Sequence, residues 1–192
     1  PIFRAARASA LKATCVSNLS QVGKAMKMYA HDWSNMTPPW GGVIPWRYPG
    51  EGGELPWTQR ISAYYDGSRD MFICPATAAM LTKDRPMCSC ILNHKLIEAD
   101  ITVIPEADKV IMIYETNCTS RSPSVPCAED WDLSSELQPL DQEIWPNDDT
   151  NTWYLLRFPG PHSGAENILF ADSHVKGFKR WNSRQMTFFP SK

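Results

Sequence analysis

The sequence predicts an α+β fold, in which a long N-terminal α-helix packs on a small antiparallel β-sheet with long disulfide-stapled loops. Three observations support this: a helical apolar stripe near the start, short strand-like runs toward the end, and an overall content of 16 Pro, 8 Trp and 6 Cys. The chain has 192 residues, which is enough for one domain with a substantial core.

Along the first part of the chain, apolar residues recur at steps of three and four: Leu11, Cys15, Leu19, Val22, Met26 and Tyr29. This is the period of one helical face. We expect the helix to run from about Phe3 to about Asp32, because the two prolines of "NMTPP" forbid its continuation. At roughly 1.5 Å per residue it is about 45 Å long, so one end should project from a small domain. The expected units are a helix at 1–37 and a globular head at 38–192.

Strand-like runs come later in the chain. "ITVI" at 101–104 and "KVIMIYE" at 109–115 are the clearest strands, separated by the turn signal "PEAD". "MFICP" at 71–75 predicts a further short strand, and "WTQRISAYY" at 57–65 a short helix. Within 161–178, "NILFA" leads through the turn "DSH" into "VKGF", which predicts a hairpin.

Two loop segments carry possible binding groups. Residues 38–60 are rich in Pro, Gly and Trp and should be irregular. Four tryptophans lie in or beside this segment: Trp33, Trp40, Trp46 and Trp57. They could form aromatic platforms for a glycan or peptide, or they could fill the space beneath a loop, which is the interpretation we favour.

The segment 118–150 is acidic and has no sustained period, so it predicts a long loop. Its "NDDTN" run could offer oxygen ligands to Ca²⁺, but it lacks the spacing of an EF-hand. We interpret it as a solvated acidic loop and expect no bound cofactor.

The cysteines are Cys15, Cys74, Cys88, Cys90, Cys118 and Cys127. No C-x-x-C occurs, so the usual signature of thioredoxin-like or zinc-ribbon sites is missing. An even number of cysteines in a loop-rich chain favours disulfides and an oxidising, extracytoplasmic compartment. Cys118 with Cys127 would close a short Pro-rich loop, whereas Cys88 and Cys90 are too close in sequence to pair with each other.

The charge balance and the motifs exclude several functions. Lys and Arg number 19 against 21 Asp and Glu, and this near balance argues against a nucleic-acid partner, which would usually require a basic face. The sequence also contains no G-x-S-x-G, Walker, G-x-G-x-x-G or H-E-x-x-H motif. We therefore expect no enzymatic activity.

His162, Asp172 and His174 flank the predicted hairpin and form the best chemical trio in the sequence. They could ligate a metal ion, act as an acid–base pair, or hold the hairpin in place. We favour the structural interpretation. Asp172 can accept hydrogen bonds from the N–H groups of its own turn, and His162 can bond to a neighbouring strand.

Two motifs point to a known family. "CVSNLSQVGKAMKMYAHDWSNMTP" at 15–38 resembles the segment that follows the membrane helix in type IV pilin-like proteins and pseudopilins. The matching positions there are Cys15, Ser17, Asn18, Leu19, Gln21, Gly23, Ala25, Tyr29 and Asp32. "FICP" at 72–75 resembles the family's Phe-x-Cys-Pro.

The C-terminal segment "HSGAENILFADSHVK" resembles the family's His-x9-Asp-Gly signature. The positions that match it are His162, Asn167, Phe170, Asp172, His174 and Val175. Ser173 stands where the family usually has Gly, which implies a slightly different or mildly strained turn.

The resemblance implies a structural subunit, a pseudopilin or minor pilin, of a type IV pilus-like or type II secretion filament. It implies a cell-envelope location, with the head in the periplasm or outside. An apolar membrane segment would precede Pro1 and anchor the protein in the inner membrane. Other pilin-like subunits would contact the N-terminal helix, and a secreted substrate or glycan is a possible further partner. It also suggests a disulfide between Cys15 and Cys74, which both lie in family-like motifs.

Two alternatives from other classes stay open. One is an adhesive or glycan-binding module that uses the Trp-rich loops. The other is a metal-dependent hydrolase that uses His162, Asp172 and His174.

Overall fold

The computed structural model describes residues 2–39, 41, 52–76, 89–115, 156 and 158–190. Within them one long helix, α1 (Ile2–Asp32), precedes a one-turn helix, α2 (Trp57–Arg60). Four strands follow: β1 (Cys90–Leu92), β2 (Ile111–Glu115), β3 (Glu166–Phe170) and β4 (Val175–Phe178). They form one antiparallel sheet in the order β1-β2-β3-β4, so the predicted α+β class is confirmed.

Helix α1 has the predicted extent, and most of its apolar stripe is buried: Cys15, Leu19, Val22, Met26 and Tyr29. Residues 2–14 contain no buried side chain. The helix ends where Ser34 and Asn35 take positive φ angles of 55° and 65°. The Asn35 N–H donates to the Ala30 carbonyl at 2.6 Å, which satisfies a carbonyl of the last turn.

Strand β2 is buried along its whole length, which explains its uninterrupted apolar run. Its pairing with β3 shifts register between Ile111 and Ile113, as a β-bulge does. Met112 and Ile113 therefore both belong to the apolar cluster that packs against α1. Because side chains alternate beyond the bulge, Glu115 returns to the α1 side of the sheet.

Two apolar clusters cover the two faces of the sheet. The cluster on the α1 side includes Leu92, Met112, Ile113, Leu169 and Ala171. The opposite cluster is closed by the C-terminal segment and includes Ile91, Tyr114, Ile168, Phe170, Phe178, Met186 and Phe188. Trp57 is 1% exposed within the first cluster, so the interpretation of tryptophan as filling is confirmed at this position. Trp33 is exposed and stacks on Tyr29.

The predicted C-terminal hairpin is formed by β3 and β4. The Asp172 carboxylate accepts a hydrogen bond from the His174 backbone N–H at 3.0 Å, as expected for a residue that caps its own turn. Ser173 takes a φ of 76°, a left-handed conformation that favours Gly, so of the two predicted alternatives the structure has the mildly strained turn. The Lys27 ammonium of α1 donates to the Asp172 carbonyl at 2.6 Å and ties the turn to the helix.

The strand predicted at 101–104 is wrong. Residues Ile101–Val103 form a 3-10 helix. The Asp100 carboxylate accepts from the Thr102 N–H at 2.8 Å, which turns the chain despite its β-branched residues.

The strand predicted at 71–75 is also wrong, because Arg69–Phe72 is a 3-10 helix. The Ser68 hydroxyl accepts a hydrogen bond from the Asp70 N–H in the first turn of this helix, which favours the turn over an extended chain. The short helix predicted at 57–65 is confirmed as α2 followed by a 3-10 turn, Ile61–Tyr64.

Several predictions fall outside the described residues. They concern the 118–150 loop with its Ca²⁺ hypothesis, Trp40, Trp46, Cys88, Cys118 and Cys127. Among the helices that the structure describes, none combines the length and the apolar character needed to span a bilayer.

Candidate functional site

Four buried side chains from separate parts of the chain meet between α1 and the sheet: Cys15, Cys74, Glu115 and His162. We call this group the Cys–Glu–His cluster. One ligand-type atom from each residue lies within 4.8 Å of the others. No side chain of the cluster is more than 4% exposed.

Two of the four residues come from the helix and the sheet. Cys15 is the first buried residue of α1 and belongs to its apolar stripe. Glu115 ends β2, where the bulge has turned its side chain toward α1. The Cys15 thiol donates to the Glu115 carboxylate, and the Asn167 backbone N–H of β3 donates to the same carboxylate at 3.3 Å. Helix and sheet thus meet at this carboxylate.

Cys74 is held by the segment that leads into β1. Its backbone N–H donates to the Ser89 hydroxyl at 3.0 Å, and the Ser89 N–H donates to the Phe72 carbonyl at 2.7 Å. Ser89 is fully buried, so these bonds fix the position of Cys74 from inside the core.

His162 is presented by a tight turn before β3. The N–H groups of His162 and Ala165 each donate to the other's carbonyl at 3.1 Å. The two residues between them, Ser163 and Gly164, have positive φ angles of 55° and 85°. Positive φ at both central positions is typical of the two-residue turns that close β-hairpins. At Gly160, a Cβ would lie 2.3 Å from the Ala165 carbonyl oxygen, so only Gly fits there.

The imidazole of His162 is the centre of the contacts. Its Nε2 lies 3.0 Å from Glu115 Oε2 and 3.4 Å from Cys74 Sγ. Its Nδ1 is buried and has no hydrogen-bond partner among the described residues.

The electrostatics of the cluster favour a charged pair. A hydrogen bond from Cys15, more than any other contact, lowers the pKa of Cys74 to about 4, although burial opposes this. The same bond, together with burial, raises the pKa of Cys15. Burial disfavours the charge on His162, yet the contacts with Cys74 and Glu115 raise its pKa to about 9. The lowered pKa of Cys74 and the raised pKa of His162 therefore reinforce each other.

The cluster also carries buried acidic groups. Burial raises the pKa of Glu115, while the hydrogen bond with His162 works in the opposite direction. Glu166, at the start of β3, is completely buried, and neither of its carboxyl oxygens has a hydrogen-bond partner within the described parts of the chain. Burial, and then repulsion by Glu115 and Cys74, raise the pKa of Glu166 well above the ordinary range.

The predicted trio of His162, Asp172 and His174 is not a site. Asp172 and His174 lie together at the β3–β4 turn, where their side chains are 38% and 39% exposed and 2.6 Å apart. His162 lies beyond the opposite end of β3, whose five residues span roughly 17 Å. The metal-ligand hypothesis on this trio is therefore wrong, because the length of β3 separates His162 from Asp172 and His174.

The disulfide predicted between Cys15 and Cys74 is not formed. The two residues lie side by side, as the pairing required, but both are reduced, and the part of the chain that the structure describes contains no disulfide. The two sulfurs instead contact Glu115 and His162.

The remaining family-like positions are scattered around the cluster. Asn18 and Gln21 line an open cleft between α1 and residues 66–75. Tyr29 packs in the core, and Asn167 is buried in β3 beside Glu115. Three of the expected signature residues, Cys15, Cys74 and His162, thus converge on one point.

Glu115 is the member of the cluster that our sequence analysis did not single out. The available signal was a carboxylate directly after a run of buried apolar strand residues. Such a position implies a buried charge with a partner.

The arrangement can support three kinds of chemistry. The four side chains could coordinate a metal ion, since thiolate, imidazole and carboxylate are all zinc ligands. The sulfurs could be oxidised to a disulfide. The thiolate–imidazolium pair also has the composition of a nucleophilic dyad.

Comparisons of the chain with protein-family models, with curated proteins and with solved structures find no match.

Proposed function

We propose that this chain is a structural subunit of a pilin-like filament, of the type IV pilus or type II secretion kind. Its helix would contact neighbouring subunits and its head would face the periplasm or the exterior. An apolar segment preceding the helix would anchor the protein in the inner membrane. The observation that carries this proposal is the division of α1 into a first part that has no buried side chain and a second part that is built into the core.

The exposed part of α1 supports a role in contacts between subunits. Ile2 and Phe3 are 81% and 90% exposed, and no residue before Cys15 is buried. Thirteen helical residues, 2–14, extend for about 20 Å. Together these two residues form an exposed apolar surface on this part of the helix, which another protein or a lipid phase could cover.

The burial of the Cys–Glu–His cluster argues against catalysis. A nucleophile must reach a substrate atom, and Cys74 is only 2% exposed. Asp172 and His174 are accessible, but they are occupied with each other and with their own turn. We therefore propose a non-enzymatic role.

Site-specific photo-crosslinking in the native cell envelope tests the filament proposal. A photoreactive phenylalanine analogue would replace Phe3 in the full-length protein. Met28 is the matched control, since it is 53% exposed on the same helix but in the part packed on the head. We expect crosslinks from position 3 to a second copy of this chain or to another pilin-like subunit.

The control variant and the outcome that would contradict the proposal concern positions 28 and 3 of the same helix. Position 28 should give weaker crosslinks to those subunits than position 3, because it is exposed on the part of α1 that packs on the head and not on the part proposed to contact neighbouring subunits. If position 3 yields no protein crosslink while the protein is folded and envelope-associated, the filament proposal is wrong. An alternative glycan-binding role would show instead as retention on a glycan array.

A further inference from the structure

We propose that the Cys–Glu–His cluster is a structural zinc site that fastens helix α1 to the sheet. This inference does not depend on the filament proposal. It is carried by the geometry of the four ligand atoms, by their chemical types and by their burial.

The distances fit a tetrahedral centre. Zinc bonds to nitrogen, oxygen and sulfur are about 2.0 to 2.3 Å long, so neighbouring ligand atoms in a tetrahedron lie roughly 3.3 to 3.8 Å apart. His162 Nε2 lies 3.4 Å from Cys74 Sγ and 3.0 Å from Glu115 Oε2. All four ligand atoms lie within 4.8 Å of one another. Side-chain shifts of about 1 Å would therefore complete the coordination.

The donor types select the metal. Two thiolates and one imidazole are soft or intermediate ligands, which favour zinc over calcium, magnesium or manganese. Four protein ligands fill a tetrahedral shell and leave no open position. Because every ligand is buried, the site matches a structural zinc rather than a catalytic one.

Across the described ranges, the buried surroundings of the cluster contain no lysine or arginine. The buried polar and charged side chains of the described residues include Glu115 and Glu166, and His162 is the one basic group among them. Within the cluster, two cysteine sulfurs and one carboxyl group therefore face a single imidazole. Buried charged groups in proteins are paired or coordinate metals, and a divalent ion is a partner that all four side chains could share.

The second coordination shell is partly in place. The Asn167 N–H donates to the Glu115 carboxylate, and the Cys74 N–H donates to the Ser89 hydroxyl. Bonds of this kind hold ligands in orientation before the metal arrives. The ion would link four segments that are distant in sequence: α1, the loop after Phe72, the end of β2 and the turn before β3.

Zinc binding competes with oxidation of the same sulfurs. Coordination requires two thiolates and a neutral imidazole, so zinc would release the protons carried by the thiols and by His162 Nε2 to water, and it leaves both sulfurs reduced. A Cys15–Cys74 disulfide would instead remove two electrons and two protons to an oxidant and destroy half of the ligand set. The two states are distinguishable by metal content and by mass.

The primary experiment uses protein isolated from its native cellular compartment and purified without a His tag and without chelators. Metal analysis should find zinc in an amount equimolar with the chain. Intact mass after denaturing alkylation should show Cys15 and Cys74 alkylated. Cobalt(II) added to the reduced apoprotein should give the intense visible bands of tetrahedral thiolate coordination, and zinc should abolish them.

Matched variants identify the ligands. Cys74→Ser should weaken zinc binding at least about 100-fold, whereas Cys90→Ser, a buried cysteine outside the cluster, should leave it unchanged. His162→Gln should behave like Cys74→Ser, and His174→Gln should bind zinc like the parent protein.

Two results would overturn the proposal. One is a folded, fully reduced parent protein that binds no cobalt with those bands. The other is native protein that carries no zinc and in which Cys15 and Cys74 are disulfide-linked. Both measurements are made on the unmodified chain, so they decide the matter even if a ligand variant fails to fold.

Discussion

Two methionines on α1 offer a test of how the helix is docked. Met26 is 1% exposed and belongs to the cluster between helix and sheet, whereas Met28 is 53% exposed on the same helix. Replacing each by Ala removes the same atoms and changes helix propensity by the same small amount. Any difference in stability therefore reports burial alone.

The expected difference is large. Truncating a fully buried Met to Ala removes transfer free energy and leaves a cavity, at a cost of about 2 to 5 kcal/mol. The same change at a half-exposed surface position should cost less than about 0.5 kcal/mol. With a urea m-value of about 1 to 3 kcal/mol per molar, a loss of roughly 3 kcal/mol lowers the unfolding midpoint by about 1 to 3 M.

Urea unfolding followed by far-UV circular dichroism and by tryptophan fluorescence measures both variants. Coincident transitions would justify a two-state analysis. Equal losses for Met26→Ala and Met28→Ala would refute the described docking of α1, because the two side chains would then be buried to the same extent. Leu19→Ala, fully buried on the same stripe, should repeat the Met26 result.

Four further outcomes follow from single contacts. Gly160→Ala should cost about 2 to 3 kcal/mol in unfolding free energy, because its Cβ would meet the Ala165 backbone. Gly52→Ala, whose added Cβ would have no described atom within 4 Å, should be nearly neutral in the same denaturant titration. Thr37→Val should lower the free energy of unfolding by about 1 to 3 kcal/mol, because the Thr37 hydroxyl donates to the Leu96 carbonyl and accepts from the Ala99 N–H, and both groups would lose this partner. A melting temperature that does not fall in calorimetry would contradict this. Asp172→Ala should lose about 0.5 to 1.5 kcal/mol with the turn bond to the His174 N–H, and an unchanged urea midpoint would show that this bond adds nothing. Glu166 has a raised pKa in the folded state, so its protonation stabilises the fold fully at acidic pH and this stabilisation is lost as pH rises above the ordinary carboxyl range. The free energy of unfolding should then fall by up to about 1.4 kcal/mol per pH unit, and less steeply in Glu166→Gln. Denaturant unfolding at several pH values measures both slopes.

The elements that depend on local pattern were predictable from sequence. The stripe of α1 repeats the helical period, and the β3–β4 hairpin is marked by two short strand-like runs on either side of the turn "DSH". The segment at 101–104 shows the limit of such patterns. Its β-branched residues favour a strand, but one hydrogen bond from the Asp100 side chain turns the chain into a 3-10 helix.

The candidate site was predictable only in part, since it is assembled over long sequence separations. Cys15 and Glu115 are 100 residues apart, and Cys74 and His162 are 88 apart. The family resemblance identified both cysteines and the histidine and paired the two cysteines, but it did not bring His162 to them. Glu115 joins them because a bulge in β2 reverses which face its side chain takes, and no sequence period records a bulge.

The position of Cys15 has a mechanical consequence. It is the first buried residue of α1, so tension applied to the exposed end of the helix reaches the Cys–Glu–His cluster before any other part of the core. The Lys27 bond to the hairpin turn lies three helical turns further along, where the helix runs across the sheet surface. Pulling along the helix axis would thus load these contacts one after another. A crosslink at the cluster would act as the first mechanical clamp and would set the force at which the helix peels from the head.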